Sequence, residues 1–221
     1  MKIFITRDLA PDSALHKMLS QKGHRIHAQS LIDFELVPFN YFPPCEWIFF
    51  YSPRCVDFFF EMADPRRYKG SKFAVMGGGT ARALLTHDIV PDFIGNGIPA
   101  HTAEALAGEA QDTRILFPRA ENSRRSIEKL LADDQVEVID IIVYSNTPKV
   151  DFTVPKCEVL VFTSPLNAEA YFMLYDLKKG QKVVAIGKTT AEYLRSLEIY
   201  DLTTAESPTA AGIAAAIEAL M

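Results

Sequence analysis

The groups best able to do chemistry in this chain stand where short apolar runs give way to glycines, hydroxyls and arginines. Arg7 follows Ile3-Phe4-Ile5-Thr6, Ser52-Pro53-Arg54 follows Trp47-Ile48-Phe49-Phe50-Tyr51, and Gly77-Gly78-Gly79-Thr80 follows Phe73-Ala74-Val75-Met76. Arg119 follows Ile115-Leu116-Phe117-Pro118, Ser164-Pro165 follows Val159-Leu160-Val161-Phe162-Thr163, and Gly187-Lys188-Thr189-Thr190 follows Val183-Val184-Ala185-Ile186. A strand that ends in such a turn and opens a helix presents unpaired N–H groups carrying partial positive charge. Phosphates and carboxylates bind there. The same turn also serves α/β proteins that hold no ligand at that corner. Tyr144 ends the run Val138-Ile139-Asp140-Ile141-Ile142-Val143, and read alone it is a tyrosine at a strand exit.

Other chemistries find little support. The Gly77-Gly78-Gly79 run is not G-x-G-x-x-G, and Gly187-Lys188-Thr189 lacks the upstream glycine of a P-loop, so a nucleotide enzyme is disfavoured. There is no G-x-S-x-G, and Cys45, Cys55 and Cys157 sit in or beside apolar stretches. Three cysteines without C-x-x-C spacing make neither a disulfide framework nor a zinc site, and they suit a reducing compartment. The five histidines are scattered without ligand spacing, read as surface or helix-end residues, and imply no metal. A flavodoxin-like cofactor protein needs a hydroxyl-rich loop after its first strand, which Thr6-Arg7-Asp8-Leu9-Ala10-Pro11 does not provide.

The bulk properties agree. A net charge of −5 with no basic stripe argues against nucleic acid, so an anionic ligand must be held by local groups. No apolar run reaches the roughly 18 residues of a membrane span, and Met1-Lys2-Ile3-Phe4-Ile5-Thr6-Arg7 reads as a first strand and not a secretory signal. The expectation is a cytoplasmic protein without membrane contact. No coiled-coil seam is visible, and a monomer is expected.

The elements that must position these groups are written twice. Ile3-Phe4-Ile5-Thr6-Arg7 matches Ile115-Leu116-Phe117-Pro118-Arg119, and the two apolar runs closing in Ser52-Pro53 and Ser164-Pro165 match each other. Phe73–Ala81 matches Val183–Ala191, and His101–Ala107 matches Pro208–Ala214, all in order and about 110 residues apart. Strands are predicted at 2–6, 24–29, 47–51, 72–76 and 90–94, then at 114–118, 136–144, 158–163, 182–186 and 199–203. Apolar strands alternating with helical spacing predict parallel sheets covered on both faces, five strands to each flavodoxin-like, doubly wound half. Ser52 and Ser164 are predicted to cap helices that have proline at their first position, and Thr80, Thr102, Ser123 and Thr190 also read as caps.

Over essentially the whole chain these residues resemble the uroporphyrinogen-III synthase family. The resemblance is carried by Phe162-Thr163-Ser164-Pro165, Tyr51-Ser52-Pro53-Arg54, Ile186-Gly187-Lys188-Thr189-Thr190-Ala191, Ala205-Glu206-Ser207-Pro208-Thr209 and Val143-Tyr144. Tyr51 stands where the family usually has threonine, His27-Ala28-Gln29-Ser30-Leu31 lacks a common proline, and Gly77-Gly78-Gly79 is richer in glycine than usual. The resemblance implies two flavodoxin-like domains joined by a two-stranded linker, with the active site in the cleft. One domain is discontinuous, about residues 1–33 and 149–221, with 37–145 inserted and linkers near 31–36 and 144–148.

The resemblance also implies the reaction. Hydroxymethylbilane, a linear tetrapyrrole with eight carboxylates, loses its terminal hydroxyl as water to give an azafulvene, then closes through a spiro intermediate that inverts the last ring. No metal or organic cofactor is implied, and transient contact with the preceding pathway enzyme is conceivable. Tyr144 matches the family tyrosine proposed to donate a proton to the leaving hydroxyl. Ser52, Arg54, Thr80, Ser164, Lys182 and Thr189 would touch substrate carboxylates. The strand-end argument adds Arg7 and Arg119, for which a structural ion pair is the alternative. The rival reading is a non-catalytic binding protein of this fold for a carboxylated or phosphorylated ligand.

Overall fold

A computed structural model describes residues 1–131 and 136–220 of the chain. It divides into two units, Met1–Asp33 with Thr147–Met221, and Phe34–Asn146.

The first unit holds strands β1 (Lys2–Ile5), β2 (Arg25–Ala28), β9 (Val159–Phe162), β10 (Lys182–Ala185) and β11 (Leu202–Thr204) in the order β11-β10-β9-β1-β2. All four neighbouring pairs are parallel, and in the unit's own chain order the arrangement is the flavodoxin-like 2-1-3-4-5. Alternation along each strand divides the core into two layers. Phe4, Leu160, Phe162 and Val183 face α6 (Pro165–Leu174) and α7 (Lys188–Ser196). Ile3, Ile5, Val161 and Val184 face α1 (Ala14–Gln21) and α8 (Ala210–Glu218). Burial on both faces explains why these strands are uninterrupted apolar runs.

The second unit orders its strands β3-β8-β7-β4-β5-β6: β3 (Ile32–Leu36), β4 (Trp47–Phe50), β5 (Lys72–Val75), β6 (Phe93–Ile94), β7 (Arg114–Ala120) and β8 (Glu137–Pro148). Strands β4 to β8 are parallel, with β4 central. Ile48 and Phe50 face α2 (Pro53–Met62) and α3 (Gly78–Leu85), whereas Trp47 and Phe49 face α4 (Pro99–Glu109) and α5 (Ser126–Leu131).

Two segments cross from one unit to the other. Val37 N–H donates to Val143 O at 3.0 Å and Lys149 N–H to Leu31 O at 2.9 Å, so β3 runs antiparallel to the end of β8. The resemblance implies a two-stranded linker near 31–36 and 144–148, whereas the apolar pattern by itself predicts no strand at 31–36 and ends β8 at residue 144. Ile32-Asp33-Phe34-Glu35-Leu36 alternates with period two, and the pairing satisfies its backbone.

The internal repeat survives in three dimensions: burial along 71–90 matches burial along 181–200 at every position. It also corrects the caps. Ser52 and Ser164 do cap α2 and α6, accepting N–H bonds from Cys55 and Asn167. Helices α3 and α7 instead start from Gly77 and Gly187, and Thr80 and Thr190 are buried one turn inside. Thr102 is likewise buried within α4, and Ser123 lies ahead of α5, its Oγ accepting the Arg125 N–H at 3.3 Å. His24 corrects the reading of the histidines as surface or helix-end residues: it is buried, with Nε2 3.0 Å from Glu218 Oε1 on α8.

Candidate active site

The second unit gathers its polar groups where β4, β7 and β8 end. Pairing of β7 with β8 runs in register from Arg114↔Glu137 to Arg119↔Ile142, then skips, so that Ala120 faces Tyr144. This is a β-bulge, with Val143 the extra residue. Because of it Val143 and Tyr144, neighbours in sequence, both pack into the layer against α2 and α3. Regular alternation would have sent one of them to the other face. The bulge thus aims the phenol.

The Tyr144 ring stacks on Phe58 with centroids 5.1 Å apart and lies 6.0 Å from Phe34, while the Arg54 guanidinium sits 3.3 Å over the Phe34 centroid. Ser52 and Cys55 line the same cavity as the phenol, and burial, followed by the neighbouring Cys55 sulfur, pushes its pKa above the ordinary tyrosine value. At neutral pH it therefore holds its proton. Burial likewise raises the Cys55 thiol, so that sulfur is a neutral neighbour and not a nucleophile.

Beside Tyr144 lies a cavity of about 300 Å³, also lined by Ser52, Arg119, Arg124, Arg125 and Ser126. Arg119 is paired with Asp140 and donates to the carbonyls of Ala120 and Glu121 at 3.0 Å. Arg125 donates to the other oxygen of Asp140 at 3.0 Å. Tyr51 donates to Glu128 Oε2 and accepts the Ile127 N–H at 2.6 Å, tying the end of β4 to α5. Where the family usually has threonine, this chain has a phenol long enough to reach across.

In the first unit Thr6 and Thr163 clamp the ends of β1 and β9, Thr163 N–H donating to Thr6 Oγ1 at 3.0 Å and Thr163 Oγ1 to Thr6 O at 2.7 Å. Ser164 Oγ accepts from the Asn167 N–H at 3.1 Å and from its side-chain amide at 2.9 Å, which leaves the hydroxyl proton to be donated. Asn167 Oδ1 in turn accepts the Leu31 N–H at 2.9 Å. Arg7 follows β1 with its Nε buried and unpartnered, and burial lowers its pKa.

Of the residues expected from the sequence, Tyr144, Ser52, Arg54 and Arg119 come together in the second unit. Ser164, Thr189 and Arg7 stand at the carboxyl ends of strands in the first, where Thr189 is exposed. Two expectations change. Thr80 faces the core; the exposed residue matching Thr189 is Gly79, so a side-chain contact at that turn is lost and only backbone N–H groups remain. Lys182 opens β10, at the end of the strand opposite Gly187, and is exposed there, so it does not join the strand-end groups. Arg124, Arg125, Cys55 and Phe58 were not singled out from the sequence. Only Arg124-Arg125, an adjacent basic pair in a loop, gave a visible signal. Among the described residues no three His, Cys, Asp or Glu side chains gather as metal ligands, and no helix is long and apolar enough to cross a membrane.

A sequence comparison with curated proteins finds no match. Among solved structures, the uroporphyrinogen-III synthetase of Helicobacter pylori 26695 superposes with a TM-score of 0.77 at 20% identity, over 100% of this chain and 99% of that one. A mutant uroporphyrinogen III synthase of the extremely thermophilic bacterium Thermus thermophilus gives 0.56 at 15% identity, over 99% and 96% of the two chains. At these identities the likeness is one of fold. The family model described as uroporphyrinogen-III synthase HemD matches residues 13–215. By that match, which takes in the Ser52 and Ser164 helix starts and Tyr144, the chain belongs to the uroporphyrinogen-III synthase family.

Proposed function

We propose that Tyr144 is the proton donor for ring closure in this chain. The chain is a uroporphyrinogen-III synthase, a hydro-lyase that cyclises a linear tetrapyrrole, hydroxymethylbilane, with inversion of the terminal ring. The observation that carries the reading is a buried phenol, aimed by a bulge, that keeps its proton at neutral pH beside an arginine-lined cavity.

In the mechanism, the pyrrole nitrogen lone pair pushes out the terminal hydroxyl, which takes the Tyr144 proton and leaves as water. The phenolate left behind has a raised proton affinity. It recovers a proton from the pyrrole carbon that must lose one after closure, so the donor is regenerated. Ser52 and Cys55 line the cavity beside the phenol, and Phe58, stacked on its ring, fixes it in place. Arg54 in the second unit, and Ser164, Thr189 and Arg7 in the first, would supply donors to the carboxylates. Lys182 stands apart from this set, and Thr80 is left as a packing residue. Three free cysteines support a reducing, cytoplasmic setting, and a monomer suffices for the chemistry.

The test supplies enzymatically generated hydroxymethylbilane and separates the oxidised products by isomer. Wild-type protein is expected to give isomer III above the spontaneous isomer I. Tyr144→Phe is expected to lower kcat by about 10²–10⁴-fold with an unchanged fold. Wild-type turnover in Tyr144→Phe would remove the phenol from the mechanism. Isomer I alone from folded wild-type protein would leave only a binding role.

A further inference from the structure

We infer that the cavity walled by Arg119, Arg124 and Arg125 is a subsite for one acetate or propionate arm of the tetrapyrrole, and that it sets the reacting ring against Tyr144. The inference rests on the family reaction proposed above and extends it to Arg124 and Arg125, which the sequence did not single out.

Three guanidinium groups line one wall of a protein whose net charge is −5. Asp140 engages two of them, one oxygen to Arg119 and the other to Arg125. It fixes their planes without neutralising the group, and among the described residues Arg124 pairs with no carboxylate. Of the other acids nearby, Glu128 is buried and already accepts the Tyr51 proton, and Glu121, whose backbone carbonyl accepts from Arg119, is exposed. The planar fork of a guanidinium matches a carboxylate in two-point geometry, which a lone ammonium does not. Ser123 and Ser126, also on the lining, add hydroxyl donors.

Arg125 takes a φ of 53°, the left-handed region, which a branched or long side chain adopts only when its surroundings hold it there. Here the Ser123 hydroxyl accepts the Arg125 N–H, and the side chain reaches Asp140. The turn thus gives up a relaxed backbone and sets two consecutive arginines along one cavity. With water occupying about 30 Å³, a volume of 300 Å³ admits one carboxylated arm and the edge of its ring. Tyr144 and Ser52 line the same space. An arm anchored there therefore fixes the terminal ring within reach of the phenol, where orientation counts most.

The test titrates wild-type protein, Arg124→Gln and Arg125→Gln with uroporphyrin I, a stable octacarboxylate, by fluorescence, and measures hydroxymethylbilane turnover in parallel. Each substitution is expected to weaken uroporphyrin binding about tenfold and to raise KM more than it lowers kcat. Arg124→Lys and Arg125→Lys are expected to restore part of the loss, since charge returns without the fork. Arg124 is exposed, so its variant keeps the test open if Arg125→Gln fails to fold. Binding within twofold of wild type for Arg124→Gln, from a protein whose wild type makes isomer III, would overturn the subsite and leave the family reaction standing. A wild type that makes only isomer I would overturn the reaction itself.

Discussion

A phenol that must give up a proton is placed where it is reluctant to do so, and the reason lies in the atoms around Tyr144. Phe58 and Phe34 exclude water from its ring, and the Cys55 sulfur disfavours an adjacent phenolate. The acid form is thereby guaranteed across the physiological range, and the cavity arginines can compensate the charge that forms in transit. A difference titration of phenolate absorbance between wild type and Tyr144→Phe is expected to show this group ionising above pH 10, the ordinary value. A difference curve centred at or below pH 10 would mean that water reaches the phenol. Tyr144 was visible in the sequence because it ends an apolar run. Its neighbours were not, since Phe58 and Cys55 read as one face of α2 and nothing local tells which strand that face meets.

Strands were legible because burial on both faces leaves continuous apolar runs, and all ten predicted ones are present. What escaped the reading depends on register. The bulge at Val143 hides inside a run where every residue is apolar but Asp140, so no alternation betrays the skipped position. The helix starts of α3 and α7 were read from threonine chemistry, whereas glycine begins them, and a shift of this size moves Thr80 from solvent into the core. Caps that are real should register as such. Ser52→Ala and Ser164→Ala are each expected to cost about 1 kcal/mol in urea unfolding through the lost N-terminal bond. Gly212 is a more stringent case. A Cβ there would lie 2.3 Å from Ser207 O, a backbone atom, because α8 packs tightly under the turn that leads into it. Gly212→Ala is expected to destabilise by about 1–3 kcal/mol despite its better helix propensity. A neutral or stabilising result would show that the turn shifts freely.

For the molecule as a whole, alkaline pH strips protons that burial holds in place. Burial raises the pKa of Tyr51 and Tyr144 and pushes Tyr171 up to about 12. A folded state that holds these phenol protons longer than the unfolded chain has their whole contribution to stability below pH 10 and loses it as pH climbs through the folded values. The urea midpoint is expected to be level from pH 7 to about 8, to begin to fall near pH 9 as the thiols of Cys45, Cys55 and Cys157, also raised by burial, come into play, and to fall most steeply from pH 10 to 11. Tyr171→Phe should make that fall shallower, whereas an unchanged slope would place the titration elsewhere. The assignment of the sheets also has a history in time. Phe34–Asn146 is one uninterrupted stretch and can close as soon as it has left the ribosome, but β1 lies beside β9, with Lys2 and Glu158 bonded across 156 residues of sequence. At roughly 5–20 residues per second, the first strand waits on the order of ten seconds or more for its neighbour. During that wait β1 has only β2 to pair with, and its other, apolar edge stays open, the kind of segment that chaperones recognise and that aggregates when they fail. The residues of β1 are thus made well before the strand that completes their pairing.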